Sequence, residues 1–197
     1  MAEAGANLQA VIDAAAPGDE VILAPGVHEI TKELLLRKPL TIRGTGGEPA
    51  VLRSAGAPVV MNIGTGSDHP TLLEGLEIDS EAKCLVHQSG SLILKDCRVT
   101  TRSTLEFNYV IGLESMGERR NVVEIDQCQL VAHYAGDTAE GTPPDVDVVL
   151  VLAGARYEEI RISDSEIINE VPNRISNGFE TRSTIARITL QKNNFHC

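Results

Sequence analysis

The sequence is poor in aromatic residues and in basic charge. Aromatic residues make up 3% of the 197 residues, and tryptophan is absent. Lysine and arginine number 17 against 28 aspartate and glutamate residues, which gives a net charge of -11. Proteins that bind nucleic acid or an anionic membrane present basic patches, and single-stranded nucleic acid also needs aromatic stacking platforms. The composition argues against both partners, whereas a local basic cluster or a bridging calcium ion would still allow an acidic polysaccharide.

The chain also lacks long hydrophobic runs and clustered cysteines. No segment approaches the roughly 18 apolar residues of a membrane span, and the residues after Met1 lack the pattern of a secretory signal. We therefore predict no membrane association. We expect a mature or excised extracellular or cell-surface domain, with a cytoplasmic protein as the alternative. The four cysteines have no C-x-x-C spacing, which argues against a zinc site.

A short phrase recurs along the chain. Its clearest copies are LILKDCRV from Leu92, VEIDQCQL from Val123, IRISDSEI from Ile160 and ITLQKNNF from Ile188. Each copy alternates apolar and other residues, turns within about two residues, and then alternates again. Aligned on the second apolar residue, the clear and fainter copies have these anchors: Leu23, Ile42, Leu73, Leu94, Ile125, Ile162 and Leu190.

The spacing between anchors varies, while the strand–turn–strand corner stays constant. This pattern is typical of a parallel β-helix, in which coils stack by parallel ladders and loops elsewhere are free to grow. We predict an all-β, single-domain, right-handed parallel β-helix of about seven coils over residues 19–197. Cys97, Cys128, Ser165 and Asn193 fall at one corner position. We expect a column of small residues there, with both cysteines as free thiols.

A short amphipathic helix is predicted in front of the first coil. Asn7 is a residue type favoured at the N-cap, and Pro17 and Gly18 end the helical pattern. The apolar residues at helical spacing are Leu8, Val11, Ile12 and Ala15. A helix of about ten residues is unstable alone in water. We predict that residues 7–16 cap the apolar cross-section and free strand edge of the first coil.

The final coil, ARITLQKNNFHC, is followed by no comparable capping segment. Leu190 and Phe195 would then lie at an open end, beside unpaired strand edges. Either further coils have been removed from this end or another subunit covers it. We predict self-association through this coil, with an isologous homodimer as the simplest closed solution.

Longer strand-like segments between the corners predict one sheet with an outward polar row. The residues assigned to this row are Asn62, His87, Gln88, Glu114, Glu180 and Arg182. One interpretation is a groove in which these groups bind sugar hydroxyls. The other is a solvated face, where alternation merely places polar residues outside. For His87 taken alone, a structural role is the commoner one.

An insertion rich in carboxylates, YAGDTAEGTPPDVD, interrupts the coils. It carries Asp137, Glu140, Asp145 and Asp147, whose oxygen atoms are of the kind that bind calcium. The spacing is not that of an EF-hand, and the Pro-Pro pair also suits an exposed loop. A calcium site and a solvated loop both remain open.

The opening LQAVIDAAAPGDEVILAPGVHEI, followed by PLTIRG, resembles the N-terminal cap and first coils of pectate-lyase-like β-helix proteins. It looks most like the branch that contains chondroitinase B and the alginate lyases. The segment NGFETRSTIARITLQKNNFHC is similar to a segment of that branch, in which an acidic residue and a Lys-Ser pair precede an Asn-Asn-x-Phe corner.

In that branch, calcium neutralises the uronate carboxylate, a lysine removes the C5 proton and an arginine assists the leaving group. The resemblance implies that Glu180 is the acid beside calcium. It places Arg182 and Ser183 at the Lys-Ser pair, which makes Arg182 the candidate catalytic residue. A guanidinium is a poor base, so we expect an incomplete lyase site.

The resemblance therefore predicts a carbohydrate-associated domain that binds an acidic polysaccharide, or one derived from a polysaccharide lyase, with calcium as the implied cofactor. A structural or self-assembling β-helix module without catalysis is the alternative.

Overall fold

The computed structural model describes residues 1–67, 69–104, 107–115, 121–136, 145–171 and 177–196. Within these residues the chain forms one helix, α1, over Leu8–Ala14, and twenty strands. The strands, β1 to β20 in chain order, are Glu20–Leu23, Gly26–Ile30, Leu34–Leu36, Thr41–Gly44, Ala50–Ser54, Val59–Gly64, Pro70–Glu74, Leu76–Ser80, Lys83–Ser89, Ser91–Lys95, Arg98–Ser103, Phe107–Leu113, Val122–Asp126, Gln129–Tyr134, Asp145–Val151, Arg156–Ser163, Glu166–Glu170, Phe179–Thr181, Thr184–Gln191 and Asn194–His196.

The strands form three parallel sheets, and each coil contributes successive strands to different sheets. Sheet 1 has the order β1-β4-β7-β10-β13-β16-β19, and sheet 2 has the order β2-β5-β8-β11-β14-β17-β20. Sheet 3 has six strands in the order β18-β15-β12-β9-β6-β3. Every third strand along the chain therefore stacks on its predecessor. The predicted parallel β-helix is confirmed, with seven coils represented in sheets 1 and 2.

The strand register confirms most of the predicted anchors in sheet 1. Their column runs through Ile42, Leu73, Leu94, Ile125, Ile162 and Leu190. The first coil differs, because Val21 pairs with Ile42 and Leu23 pairs with Gly44. The anchor predicted at Leu23 is therefore wrong by two residues. Val21 and Leu23 are both buried, and alternation with a period of two does not distinguish them.

A left-handed residue turns each later coil from sheet 1 into sheet 2. These residues are Gly75, Asp96, Gln127, Asp164 and Lys192, with φ between 47° and 63°. Left-handed backbone is uncommon outside glycine, and it lets the chain turn sharply between two strands. The corner is therefore defined by backbone geometry as well as by the apolar anchors.

The small residues after these turns bind the turns of neighbouring coils. The Asn193 side-chain amide donates to the carbonyl oxygen of Ile162 at 2.7 Å, and the Asn193 side-chain oxygen accepts from the Ser165 backbone at 3.0 Å. Ser165 Oγ in turn accepts from the backbone N–H of Cys128 at 3.0 Å. Cys97 and Cys128 are buried free thiols in the same column, as predicted.

Helix α1 covers the first coil, which confirms the predicted cap over a slightly shorter range. Asn7 Oδ1 accepts from the backbone N–H of the third residue beyond it at 3.1 Å, and Leu8 and Ile12 are buried in the core. The side chain of Gln9 accepts from Leu35 N at 2.8 Å and donates to Leu35 O at 3.2 Å. One amide side chain thus pairs with the free edge of β3.

The last coil leaves apolar side chains in solvent. Ile188, Leu190 and Phe195 are 42%, 48% and 43% exposed. The homodimer through this coil stays a prediction. Within the described ranges, no helix has the length and apolar character to cross a bilayer.

Ile125→Ala and Ile162→Ala test the anchor column. Both side chains are fully buried, so each truncation should destabilise the fold by about 2–5 kcal/mol in urea unfolding. Ile93→Ala is the matched control, because Ile93 is half-buried and lies between two buried leucines of β10. It should shift the midpoint less. An unchanged midpoint in both anchor variants would show that the corner alignment is wrong.

Candidate functional site

A doubled inward position in sheet 3 decides which side chains reach its outer surface. In four strands, two consecutive residues both pack into the main core: Val60 and Met61, Cys84 and Leu85, Val110 and Ile111, and Val148 and Val149. A regular strand alternates its side chains between two faces. The doubled inward position therefore shifts the alternation by one residue in the second half of each strand.

His87 lies inside the β-helix, so its assignment to the outward row is wrong. It is fully buried and pairs in register with Ile63 and Leu113. Its Nε2 lies 3.0 Å from the carbonyl oxygen of Gly90, and its Nδ1 lies 2.9 Å from the Tyr157 hydroxyl. A carbonyl only accepts, so Nε2 carries the proton and Nδ1 accepts from Tyr157. Burial lowers the pKa of His87 to about 4, which makes it a neutral structural residue.

The other predicted residues do not form one continuous polar row. Asn62 pairs with Val86, and Glu180 pairs with Leu150, so an apolar strip separates them within the same outward column. Gln88 is exposed and lies where the pairing of β6 with β9 becomes irregular. Glu180 and Arg182 contact each other at the β18 end of the sheet. Gln88 and Asn62 lie on β9 and β6, which are three or more strands away from β18.

Tyr109 covers the apolar strip. It packs against Val86 and Leu150, and a Cβ atom at Gly112 would collide with its ring. Its hydroxyl donates to the carboxylate of Glu114. Burial, together with this hydrogen bond, raises the pKa of Tyr109. Glu114 is therefore engaged by a neighbouring side chain on the sheet, which the sequence did not indicate.

A cation and a second aromatic ring flank Tyr109. Lys83 Nζ lies 4.5 Å from the centroid of the Tyr109 ring. The Phe107 ring meets Tyr109 edge-on at 6.3 Å, and Phe107 is 44% exposed. The guanidinium of Arg182 lies 5.6 Å from the centroid of Phe107. We call Lys83, Phe107, Tyr109 and Arg182 the aromatic–cation patch.

Three carboxylates meet beside this patch. Oxygen atoms of Asp145, Asp147 and Glu180 all lie within 4.8 Å of one another, and we call these residues the carboxylate cluster. Asp145 and Asp147 belong to β15, and Glu180 belongs to the neighbouring β18. The stacking of two coils thus joins the insertion acids to the acid implied by the resemblance. Asp137 and Glu140 lie outside the described residues.

Two oxygen atoms of the cluster are buried without a hydrogen-bond partner, Asp147 Oδ2 and Asp145 Oδ1. Asp147 is fully buried, and its Oδ1 accepts from the backbone N–H of Asn177 at 2.8 Å. Burial raises the pKa of Asp147 to about 6, and the charges of Glu180 and Asp145 add to this effect. An unpartnered buried carboxylate oxygen is costly, and a bound cation would relieve that cost.

Arg182 is tied to the cluster by two ion pairs. Its guanidinium contacts Glu180 and lies 3.1 Å from Asp145 Oδ2. The hydrogen bond with Glu180 is the main cause that raises the pKa of Arg182. Arg182 therefore stays a cation, and in this setting it suits the binding of anions better than the removal of a proton.

Comparison with models of known protein families and with curated proteins finds no match. Any function is therefore inferred from the chemistry of the carboxylate cluster and of the aromatic–cation patch.

The buried His87 predicts a loss of stability in mild acid. Its pKa falls from 6.5 in the unfolded chain to about 4 in the folded protein, so the unfolded chain binds the proton first. Stability from this group is full above pH 6.5 and is lost as the pH falls towards 4. The loss amounts to about 3 kcal/mol, measured by urea unfolding across this range.

His87→Gln is the comparison, because its side chain does not titrate there. Other groups titrate in both proteins, so the difference between the two stability curves isolates His87. If the two curves stay parallel between pH 6.5 and 4, the histidine is already protonated in the fold or solvent reaches it.

Proposed function

We propose that the outer face of sheet 3 binds an acidic polysaccharide, with calcium held by Asp145, Asp147 and Glu180. The observation that supports this most directly is the carboxylate cluster, whose oxygen atoms lie within 4.8 Å of one another and include two buried atoms without partners. Acidic groups crowded at this distance repel one another, and a divalent cation removes that repulsion.

The donor set suits calcium. Calcium takes about six to eight oxygen ligands with flexible geometry, whereas zinc prefers nitrogen and sulfur. Three carboxylates leave room for further oxygen ligands from water or from a polysaccharide. When bound, calcium supplies positive charge that neutralises a uronate carboxylate. An extracellular or cell-surface setting agrees with a calcium site and stays part of the proposal.

The aromatic–cation patch supplies contacts for sugar residues next to the cluster. Phe107 offers an exposed apolar ring, and Tyr109 supports it edge-on. Lys83 and Arg182 place two positive charges on the same face of a chain whose net charge is -11. The neighbouring carboxylates outnumber these two cations, so bound calcium supplies the further positive charge that an anionic polymer needs in order to approach this face.

A structural or self-assembling module is the second candidate. The exposed Ile188, Leu190 and Phe195 of the last coil favour it, because a second copy packed there would remove them from water. The two candidates differ in one respect: a purely structural module has no reason to bind calcium or a polyanion at the carboxylate cluster.

Calorimetry on the full chain tests the proposed site. We expect the protein to bind calcium alone, and to bind alginate or chondroitin sulfate oligosaccharides more tightly when calcium is present. Glu180→Gln and Asp147→Asn should each weaken calcium binding by about tenfold or more, because each removes a charged ligand. Glu124→Gln is the control, since Glu124 pairs with Arg161 on sheet 1. Equal calcium binding in all four proteins would contradict the proposal.

Arg182→Gln separates the two parts of the site. This change removes a cation that competes for Asp145 and Glu180, so calcium binding should persist or tighten. Polysaccharide binding should weaken, because the guanidinium no longer faces the anionic polymer.

Catalysis is tested with the same polymers. Because Arg182 stays protonated, we expect no unsaturated product at neutral pH, as followed by the ultraviolet absorbance of the conjugated double bond that β-elimination creates. Product formation that disappears in Arg182→Ala would show that this arginine acts in a lyase reaction after all.

A further inference from the structure

Cys97 and Cys128 stack on each other at the corner between sheets 1 and 2. The residues before and after them pair in register: Lys95 with Asp126, and Arg98 with Gln129. Equivalent residues of neighbouring parallel strands lie about 4.8 Å apart. Disulfides need Cα atoms roughly 4.4–6.8 Å apart, so the backbone spacing suits a bond between the two sulfurs.

Both cysteines belong to the hydrophobic core and also line a surface groove of about 500 Å³. They are 2% and 3% exposed, and the charged residues that line the groove are Arg98, Lys192, Asp96, Asp164 and Glu166. Thiol hydrogen bonds do not distinguish the three described cysteines: Cys84 Sγ donates to the carbonyl oxygen of Thr100 at 3.2 Å, Cys97 Sγ to that of Lys95 at 3.3 Å and Cys128 Sγ to that of Asp126 at 3.2 Å. Their positions do, because Cys97 and Cys128 line this groove and Cys84 does not.

The two thiols also differ from each other in acidity. Hydrogen bonding from the Cys128 thiol lowers the pKa of Cys97, and the same interaction, with burial, raises the pKa of Cys128. A thiolate is the attacking form in disulfide exchange. The stacking of the two residues supports the disulfide itself, and the difference in acidity bears only on which thiol attacks first, which we expect to be Cys97.

We propose that Cys97 and Cys128 form a redox-active dithiol site that a small-molecule disulfide converts reversibly to an intramolecular disulfide. The Cys97 thiolate attacks one sulfur of the reagent, forms a mixed disulfide and releases one thiolate. Cys128 then gives its proton to solvent and attacks Cys97 Sγ, which displaces the second thiolate. Two protein thiols are oxidised, and one small-molecule disulfide is reduced to two thiols.

Treatment of the folded full chain with glutathione disulfide, followed by alkylation of the unfolded chain, tests this site. The chain carries Cys197→Ser, so that this residue, which lies outside the described residues, contributes no thiol. After an acid quench and unfolding in urea near pH 7, N-ethylmaleimide should label all three remaining cysteines of the untreated protein, and only Cys84 of the treated protein. Peptide mapping should locate the disulfide between residues 97 and 128, and dithiothreitol should restore full labelling.

Single serine variants identify the order of attack. Cys128→Ser should accumulate a glutathione adduct on Cys97, whereas Cys97→Ser should form no adduct over the same time. Serine occupies the equivalent corner position at Ser165, so both variants should keep the far-ultraviolet dichroism of the parent. Peptide mapping of the protein with both Cys97 and Cys128 intact tests the proposal independently of these two variants.

A purely structural role for the pair gives a different result. Complete labelling of all three cysteines after treatment would overturn the proposal, and so would adducts that form equally fast on both serine variants. Oxidation that occurs only in urea would equally assign the thiols to packing alone.

Discussion

The in-register stacking of parallel strands is the constraint on which every other feature depends. Leu94, Ile125 and Ile162 lie directly over one another, so each coil buries its anchor against the same position of its neighbours. Because coils repeat in register, whatever one coil places at a corner or on an outer face lies within one strand spacing of its equivalent. The stacked thiols, the left-handed turns and the carboxylate cluster all follow from this repetition. The N-terminal cap follows as well, since β3 lies at the edge of sheet 3, where Gln9 of α1 pairs with Leu35.

The coils, corners and capping helix were predictable because their information is local. Alternation, turn residues and one N-cap residue each act within a few positions, and the anchors from Ile42 onward were aligned correctly. The errors at Leu23 and His87 both show what a period of two leaves undetermined. It does not distinguish Leu23 from Val21, which have the same parity, whereas two consecutive inward residues in β9 reverse the parity before His87. The recurrent apolar pairs of sheet 3, such as Val148 and Val149, were the available indication of this doubled inward position.

The candidate site was predictable only in pieces. Asp145 and Asp147 were visible as acids of an insertion, and Glu180 was placed by resemblance, but no local pattern joins residues so far apart in sequence. The register of β15 with β18 joins them. Lys83, Phe107 and Tyr109 were missed, because a single aromatic or cationic residue in a strand has no distinguishing periodicity. Their proximity depends on how Tyr109 folds across Gly112.

The carboxylate cluster departs from the charge pairing that coil stacking produces elsewhere on the described surface. Neighbouring strands normally place opposite charges beside each other, as Arg161 does with Glu124 on sheet 1 and Lys95 with Glu74. Sheet 3 instead places Asp147 close to Asp145 and Glu180 and buries it, with Arg182 compensating only two of the three acids. An arrangement of buried, crowded carboxylates that opposes stability is the kind expected where a ligand binds.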